Sequence, residues 1–440
     1  MTTSVGMHPP DLHLAVIVPF SVHFGIYYEG YDIMKSKRTL AALCAAVLCA
    51  GIASCGSGTK TDESKTGSET STESAALTEE PPAAEENAMP AEPFTTKCDG
   101  SAKVTVSGDK FLVGDKEIWF NGVNTPWDKW NDFGGNFSFA FWQEHFDKLH
   151  SAGVNACRIW ISCNGDVGML ISPDGSFKGA TTAHWEDLDT LFSLAENYQI
   201  YIMATVQSFD HYKDTYETYE SWRKLIQSPE CTDQYVDNYI IPLVQRYDDC
   251  DYLWSVDLCN EPDWIVENKE CGKLDWSYLQ QYYAKASSAI HANSDVLVTV
   301  GMGMIKYNSD AQNGNKVSDE ALQAADTGKY DNSLAYLDFW STHWYDWMIP
   351  NWGVIYDYTP EGFGLDPAKP AVIGELPAKG KEGYDLVHVY ENSKNNGFRG
   401  VFAWKSSGAD DNCGLWMDCK PAIEHMMTVC PEKIFPNGKI

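Results

Sequence analysis

The sequence predicts an α/β fold, a (β/α)8 TIM barrel with a short N-terminal β-hairpin, spanning residues 98–440. Three observations carry this. Eight short apolar runs recur after residue 98, most of them separated by helix-length amphipathic stretches. The runs are largely continuous rather than alternating, the pattern of parallel strands buried on both faces. Polar residues gather at their C-terminal ends, where a parallel barrel brings side chains from several strands to one mouth. The competing architecture, an open doubly wound sheet, would normally carry a Gly-rich phosphate turn after its first strand, and "NGVNTPW" at 121–127 is not one. No repeat period suggests a solenoid.

The elements follow in order. Alternation from Val104 to Phe120, broken at "SGDK" and "GDK", predicts two short strands as a hairpin at the domain entrance. Barrel strands are predicted at 118–123, 154–161, 200–206, 252–258, 296–302, 337–342, 371–375 and 399–405. Helices are clearest at 139–152 (Phe141, Phe146, Leu149), at 185–198 (Leu188, Leu191, Phe192, Leu194, Ala195) and at 277–293, where apolar residues recur every three or four positions.

The first 97 residues have a different character. From Met34, "MKSKRTLAALCAAVLCAGIASC" sets three cations before an apolar run and a small-residue site, the layout of an export signal. Its ending "IASC" is similar to a bacterial lipobox, with Cys55 as the lipidated residue; an ordinary cleaved signal or a short anchor helix are the alternatives. Residues 1–33 are then an over-extended start, 34–54 a lipoprotein-type signal peptide and 55–97 a disordered Ser/Thr/Glu/Pro-rich tether. The run at 12–28, with two His and one Pro, makes a poor membrane span. Apolar-poor from Gly56 to about Pro93, the tether cannot offset its ordering entropy. As a flexible coil of about 38 residues it would span roughly 35 Å. The expected protein is exported, a cell-surface lipoprotein or a secreted one, and a monomer.

A net charge of −30 argues against nucleic acid and against a polybasic membrane-binding surface. Membrane contact is expected only through a lipid at Cys55. Ten cysteines lie beyond the tether, at spacings that match no zinc pattern and leave any disulfide pairing open. There is no HExxH and no EF-hand loop, so neither a metal nor a cofactor is expected.

The stretch "DLCNEPDW" at 257–264 ends an apolar strand with Asn260 and Glu261, and Pro262 stops the strand there. In order, the strand ends present Asn124, Arg158, Asp210–His211, Asn260–Glu261, His343 and Tyr345, Glu375, and Trp404. Two carboxylates from different strands, Glu261 and Glu375, can face each other across a barrel mouth. Such a pair cleaves glycosidic bonds, with retention at about 5–5.5 Å and inversion at roughly 6.5–9.5 Å.

"NEP" at 260–262, "HWY" at 343–345, "GE" at 374–375 and Trp404 resemble the retaining (β/α)8 β-glycosidases. Within them the chain resembles glycoside hydrolase family 5, and more closely its endo-β-1,4-mannanase-like members, with "FLVGDKEIWFNGVNTPW" and "AGVNACRIWI" adding to the match over roughly 100–430. The resemblance implies Glu261 as acid/base and Glu375 as nucleophile. It further implies Asn260 on the sugar 2-hydroxyl, Arg158 and Tyr345 holding Glu375 ionised, His343 near the acid/base and Trp404 beneath the reacting sugar. His211 is the nearest candidate for a family histidine after the third strand. The partner implied is a β-linked polysaccharide or oligosaccharide.

Plainer readings stand beside these. Arg158 could be a buried ion-pair partner, Asn260–Glu261 a helix cap, and Trp404 ordinary core. Trp127, Trp130, Trp264, Trp344, Trp347 and Trp352 could be sugar platforms or loop packing; Trp127 is taken as a platform candidate. A cellulase or other β-glycanase with the same machinery, a transglycosylase, and a non-catalytic glycan-binding lipoprotein are the alternatives in function. The last would normally have lost a carboxylate.

Overall fold

The computed structural model describes residues 89–440 apart from 313, 380–383 and 408–412. The proposed false start, the signal peptide, Cys55 and the tether up to residue 88 lie outside the described residues.

Eight strands close into a barrel in the order β10-β11-β12-β13-β4-β5-β8-β9. They are β4 (Phe120–Asn124), β5 (Ala156–Trp160), β8 (Tyr201–Thr205), β9 (Leu253–Asn260), β10 (Leu297–Met302), β11 (Trp340–His343), β12 (Ala371–Pro377) and β13 (Gly400–Trp404). Every pairing around the ring is parallel. All eight expected strands are present, because each run is buried along nearly its whole length. Gly122 in β4 is required by close packing: a Cβ there would lie 2.5 Å from the Phe402 ring of β13.

The expected hairpin is a three-stranded antiparallel meander, β1 (Val104–Ser107), β2 (Lys110–Val113) and β3 (Lys116–Ile118). The third strand arises because the chain turns again at Gly114 and pairs Phe111 with Ile118. Phe111 then plugs the N-terminal end of the barrel, its ring 5.2–5.3 Å from those of Phe120, Trp254 and Phe339. A second hairpin, β6 (Met169–Ile171) and β7 (Phe177–Ala180), is inserted after β5 and was not expected.

The helix Phe139–Ala152 has the expected bounds, started by the Ser138 side chain accepting from the Phe141 N–H and ended at Gly153 with φ 109°. The second helix runs Thr182–Asn197, three residues earlier than expected, because Thr181 caps it by accepting from the His184 N–H. Among the described residues no helix is long and apolar enough to cross a membrane. Within the segment expected as tether, residues 89–97 contact the barrel: Phe94 packs edge-on against Tyr247 at 5.1 Å, and Arg246 Nη1 donates to the Glu92 carbonyl at 3.2 Å.

Candidate active site

Strand geometry delivers the polar residues. β5 carries Arg158, β9 ends in Asn260, β11 in His343, and β12 holds Glu375. The register places His343 directly beside Glu375, and a bridge links Ser208 to Asn260.

Arg158 is fully buried and organises the group. Its Nη1 donates to Glu375 Oε1 at 2.5 Å, its Nη2 to Asn260 Oδ1 at 2.8 Å, and Nη2 and Nε to Asp257 Oδ2 at 2.7 and 2.9 Å. Its guanidinium lies 4.2 Å from the centre of the Trp160 ring. Nη1 also donates to Asn124 Oδ1 at 3.3 Å, so a buried arginine with two carboxylates and two amides keeps every strong donor engaged, which its burial requires.

Glu375 accepts a second bond from the Tyr345 hydroxyl at Oε2, 2.7 Å. Glu261 has different company. Its Oε2 accepts from Trp264 Nε1 at 3.0 Å, and its Oε1 lies 3.1 Å from His343 Nδ1. That same Nδ1 is 3.6 Å from Glu375 Oε2. One ligand-type atom from each of Glu261, His343 and Glu375 falls within 4.8 Å of the others. The two carboxyls therefore face each other at short range.

Glu261 adopts φ 47° and ψ 57°, a left-handed conformation that costs about 1–2 kcal/mol in a non-glycine residue. It is held there by its N–H donating to the Gly301 carbonyl at 2.7 Å, with Pro262 opening the next helix. Asp263 anchors that helix, its carboxyl accepting from the N–H groups of Gly303 and Met304 at 2.7 and 3.2 Å.

Burial dominates the protonation of the site. It pushes Glu261 up to about 7, against the weaker downward pull of Arg158 and Trp264. It pushes Glu375 up as well, opposed by His343, Arg158 and the Tyr345 hydroxyl. Desolvation thus works against the expected hold of Arg158 and Tyr345 on an ionised Glu375. The pair still has an unequal preference. Ionised Glu375 gains the guanidinium contact and the tyrosine bond, so a single shared proton rests on Glu261. Burial lowers His343 to about 4, keeping it neutral. We assign its proton to Nδ1, which faces the two carboxyls, because Nε2 is buried without a partner among the described residues.

Trp404 and Trp127 lie together with Trp160, with ring centroids 5.3–6.0 Å apart, and the Trp404–Lys405 peptide is cis. His211 is brought elsewhere. Its Nδ1 accepts from the Ser208 N–H at 3.1 Å, its Nε2 meets Ser162 Oγ at 3.3 Å, and its ring abuts Trp222. It braces the loop that contacts Asn260, and among the described residues it touches neither glutamate. Sequence reasoning missed Asp257, Asp263 and Trp160. An acid inside the run "YLWSVDL" was the available signal for Asp257. Glu261, His343 and Glu375 have the donor types of a cation site, but both oxygens of Glu375 are already committed to Arg158 and Tyr345.

No family model matches the chain, and no curated protein matches it in sequence. Solved structures do match in three dimensions. An endo-1,4-β-mannanase from Eisenia fetida superposes with a TM-score of 0.66 at 20% identity, covering 74% of this chain and 95% of that one. The fold is shared with β-mannanases. The β-mannanase of the blue mussel Mytilus edulis gives a TM-score of 0.65 at 20% identity over 74% and 97% of the two chains. The β-1,4-D-mannanase of Cryptopygus antarcticus gives 0.65 at 20% over 74% and 94%. The resemblance expected from the motifs is met at the level of the fold, with nearly the whole length of each mannanase represented.

Proposed function

We propose that the protein is a retaining endo-β-1,4-glycan hydrolase of the family 5 type, acting on β-mannan. The observation that carries this is the close, unequal carboxyl pair: Glu261 beside an indole and an imidazole, Glu375 beside a guanidinium and a phenol. An oxygen of each carboxyl lies within 4.8 Å of the other, which supports the close spacing of a retaining enzyme over the wider gap an inverting one keeps for water. The mannanase choice rests on the shared fold and the motif resemblance.

In this reading protonated Glu261 donates to the departing glycosidic oxygen while ionised Glu375 attacks the anomeric carbon. The bond to the leaving sugar breaks and a glycosyl–Glu375 ester forms. Water then displaces Glu375, with Glu261 taking the water's proton and returning to its starting state. Arg158 fixes the Asn260 amide through Oδ1, which leaves Nδ2 as the donor for the sugar 2-hydroxyl. Tyr345 and Arg158 keep the nucleophile ionised and aimed. Trp404, with Trp127 beside it, supplies an aromatic face for a pyranose ring. The export signal and Cys55 would place the enzyme at a cell surface, held by a lipid.

The test is a substrate panel. Purified protein is incubated with mannan, glucomannan, carboxymethylcellulose, xylan and β-glucan, and new reducing ends are measured. Mannan and glucomannan are expected to be cleaved, and Glu375→Ala to cleave none of the five. Full activity in that variant defeats the mechanism. Cleaved cellulose beside inert mannan defeats only the choice of substrate.

A further inference from the structure

Just before β9, at the other end of that strand from Glu261, two cysteines meet. Cys98 and Cys250 lie 152 positions apart, yet their sulfurs and a Glu196 oxygen all fall within 4.8 Å of one another. The backbone is secured on both sides of this meeting. Before Cys98, the Glu92 carbonyl accepts from Arg246 at 3.2 Å, and Phe94 packs on Tyr247. After it, the Ala102 N–H donates to Asp251 Oδ2 at 3.0 Å, and Lys103 pairs with Asp248 at 3.7 Å. Four contacts thus bracket the two thiols and fix which cysteine faces which, without any bond between them. The arrangement acts as a high local concentration of one thiol at the other.

We propose that Cys98 and Cys250 form a disulfide that clamps the end of the N-terminal segment to the loop leading into β9. The two thiols divide the chemistry unequally. Cys98 is partly exposed and Cys250 is 2% exposed, so an external disulfide reaches Cys98 first. The proximity of the two thiols pushes Cys98 down and Cys250 up, which favours Cys98 as the attacking sulfur. Cys98 attacks one sulfur of a disulfide exchanger such as oxidised glutathione and expels one thiolate from it. Cys250 then loses its proton, attacks the Cys98 sulfur of the mixed disulfide and expels the second thiolate. Two thiol protons and two electrons pass to the exchanger, which leaves as two thiols. The export proposed above from the stretch at 34–54 would place the pair in a compartment where this bond persists.

A metal ion is the other occupant two cysteines and a glutamate could hold. The disulfide is favoured because Glu196 is already engaged at both oxygens, by the Thr96 hydroxyl and, at 3.1 Å, by the Lys97 N–H. The loop closed by the bond holds the barrel strands β4, β5 and β8 and the helices between them, so its effect is read as resistance of the fold to heat.

The experiment uses the full chain. Protein is treated with oxidised glutathione, alkylated and digested without reductant, and peptides are mapped by mass spectrometry. A linked pair containing Cys98 and Cys250, lost on reduction, is expected. Melting should occur at a higher temperature in the oxidised than in the reduced wild type, and this difference should vanish in both Cys98→Ser and Cys250→Ser. Recovery of the two cysteines separately alkylated, or linked to other cysteines, overturns the proposal. So does protection of both thiols by added zinc that a chelator reverses, with no linked peptide after oxidation.

Discussion

Trp264 shows how one side chain sets a proton's affinity. Its indole N–H donates to Oε2 of Glu261, an interaction that favours the charged carboxylate and holds back the rise that burial imposes. Replacing Trp264 with Phe keeps the aromatic bulk and removes the donor, so the pKa of Glu261 should rise above its present value of about 7. The acid must be protonated to act, and activity is lost as pH rises through this value. The alkaline limb of the kcat/KM profile should therefore move to higher pH in Trp264→Phe, while the acidic limb, governed by Glu375, stays in place. An alkaline limb that is unmoved or shifted downward would show that Glu261 is not the group titrating there. Asn260 follows a similar logic: its Oδ1 accepts from Arg158 Nη2, and its Nδ2, with only a long 3.5 Å contact to Ser208 Oγ, is the donor proposed for substrate.

At the scale of elements, β10 contributes to the site by what it lacks. A Cβ on Gly301 would lie 2.5 Å from Arg158 Nη2, 2.9 Å from Asp257 Oδ2 and 3.1 Å from His343 Nε2. All three neighbours are anchored, so none can yield freely. Gly301→Ala should cost about 1–3 kcal/mol in denaturant unfolding. It should also lower kcat/KM by at least about tenfold, the effect of misplacing a positioning group in the site. Wild-type activity in a folded Gly301→Ala would mean that the Arg158 cluster does not position the carboxyls. This strand also marks where the sequence is and is not legible. The eight barrel strands could be read because continuous burial leaves continuous apolar runs, and Glu261 and Glu375 because each ends such a run. Gly301 could not, and Asp257 showed only as an acid inside an apolar run, since what each does lies in contacts between strands 44 residues apart or more. The helix Tyr219–Gln227 is amphipathic, with Trp222, Leu225 and Ile226 buried, and was open to reading, whereas the short helices Pro229–Tyr235 and Ile241–Arg246 span too few turns to show a period. His211 was misplaced because distance from the strand end, which decides its reach, depends on the 3-10 turn Phe209–Tyr212.

For the whole molecule, burial leaves two opposed sets of titrating groups. His145, His184, His211 and His343 are held neutral, pushed down by desolvation from 6.5 to about 3, 4, 3 and 4. Asp132, Asp210, Glu261 and Asp263 hold their protons more tightly, pushed up by desolvation to about 6, 6, 7 and 8. The signs differ. The histidines bind protons more readily when unfolded, so stability is intact above pH 6.5 and falls as pH drops toward their folded values. The carboxyls bind protons more readily when folded, so stability is intact near pH 4 and falls as pH climbs toward 8. Above 6.5 the histidines are neutral in both states and the carboxyls alone set the slope. A net charge of −30 acts in the same direction there, since self-repulsion in the compact state grows as acids ionise. Below about pH 4 the carboxyls are protonated in both states and the histidines govern. The melting temperature should therefore peak between roughly pH 4 and 6.5 and decline on both sides. Thermal unfolding followed from pH 3 to 9 checks this, and a melting temperature that climbs steadily from pH 5 to 8 would show that the buried carboxyls are ionised in the fold. That outcome would also remove the proton from Glu261 and with it the acid on which glycosidic cleavage depends.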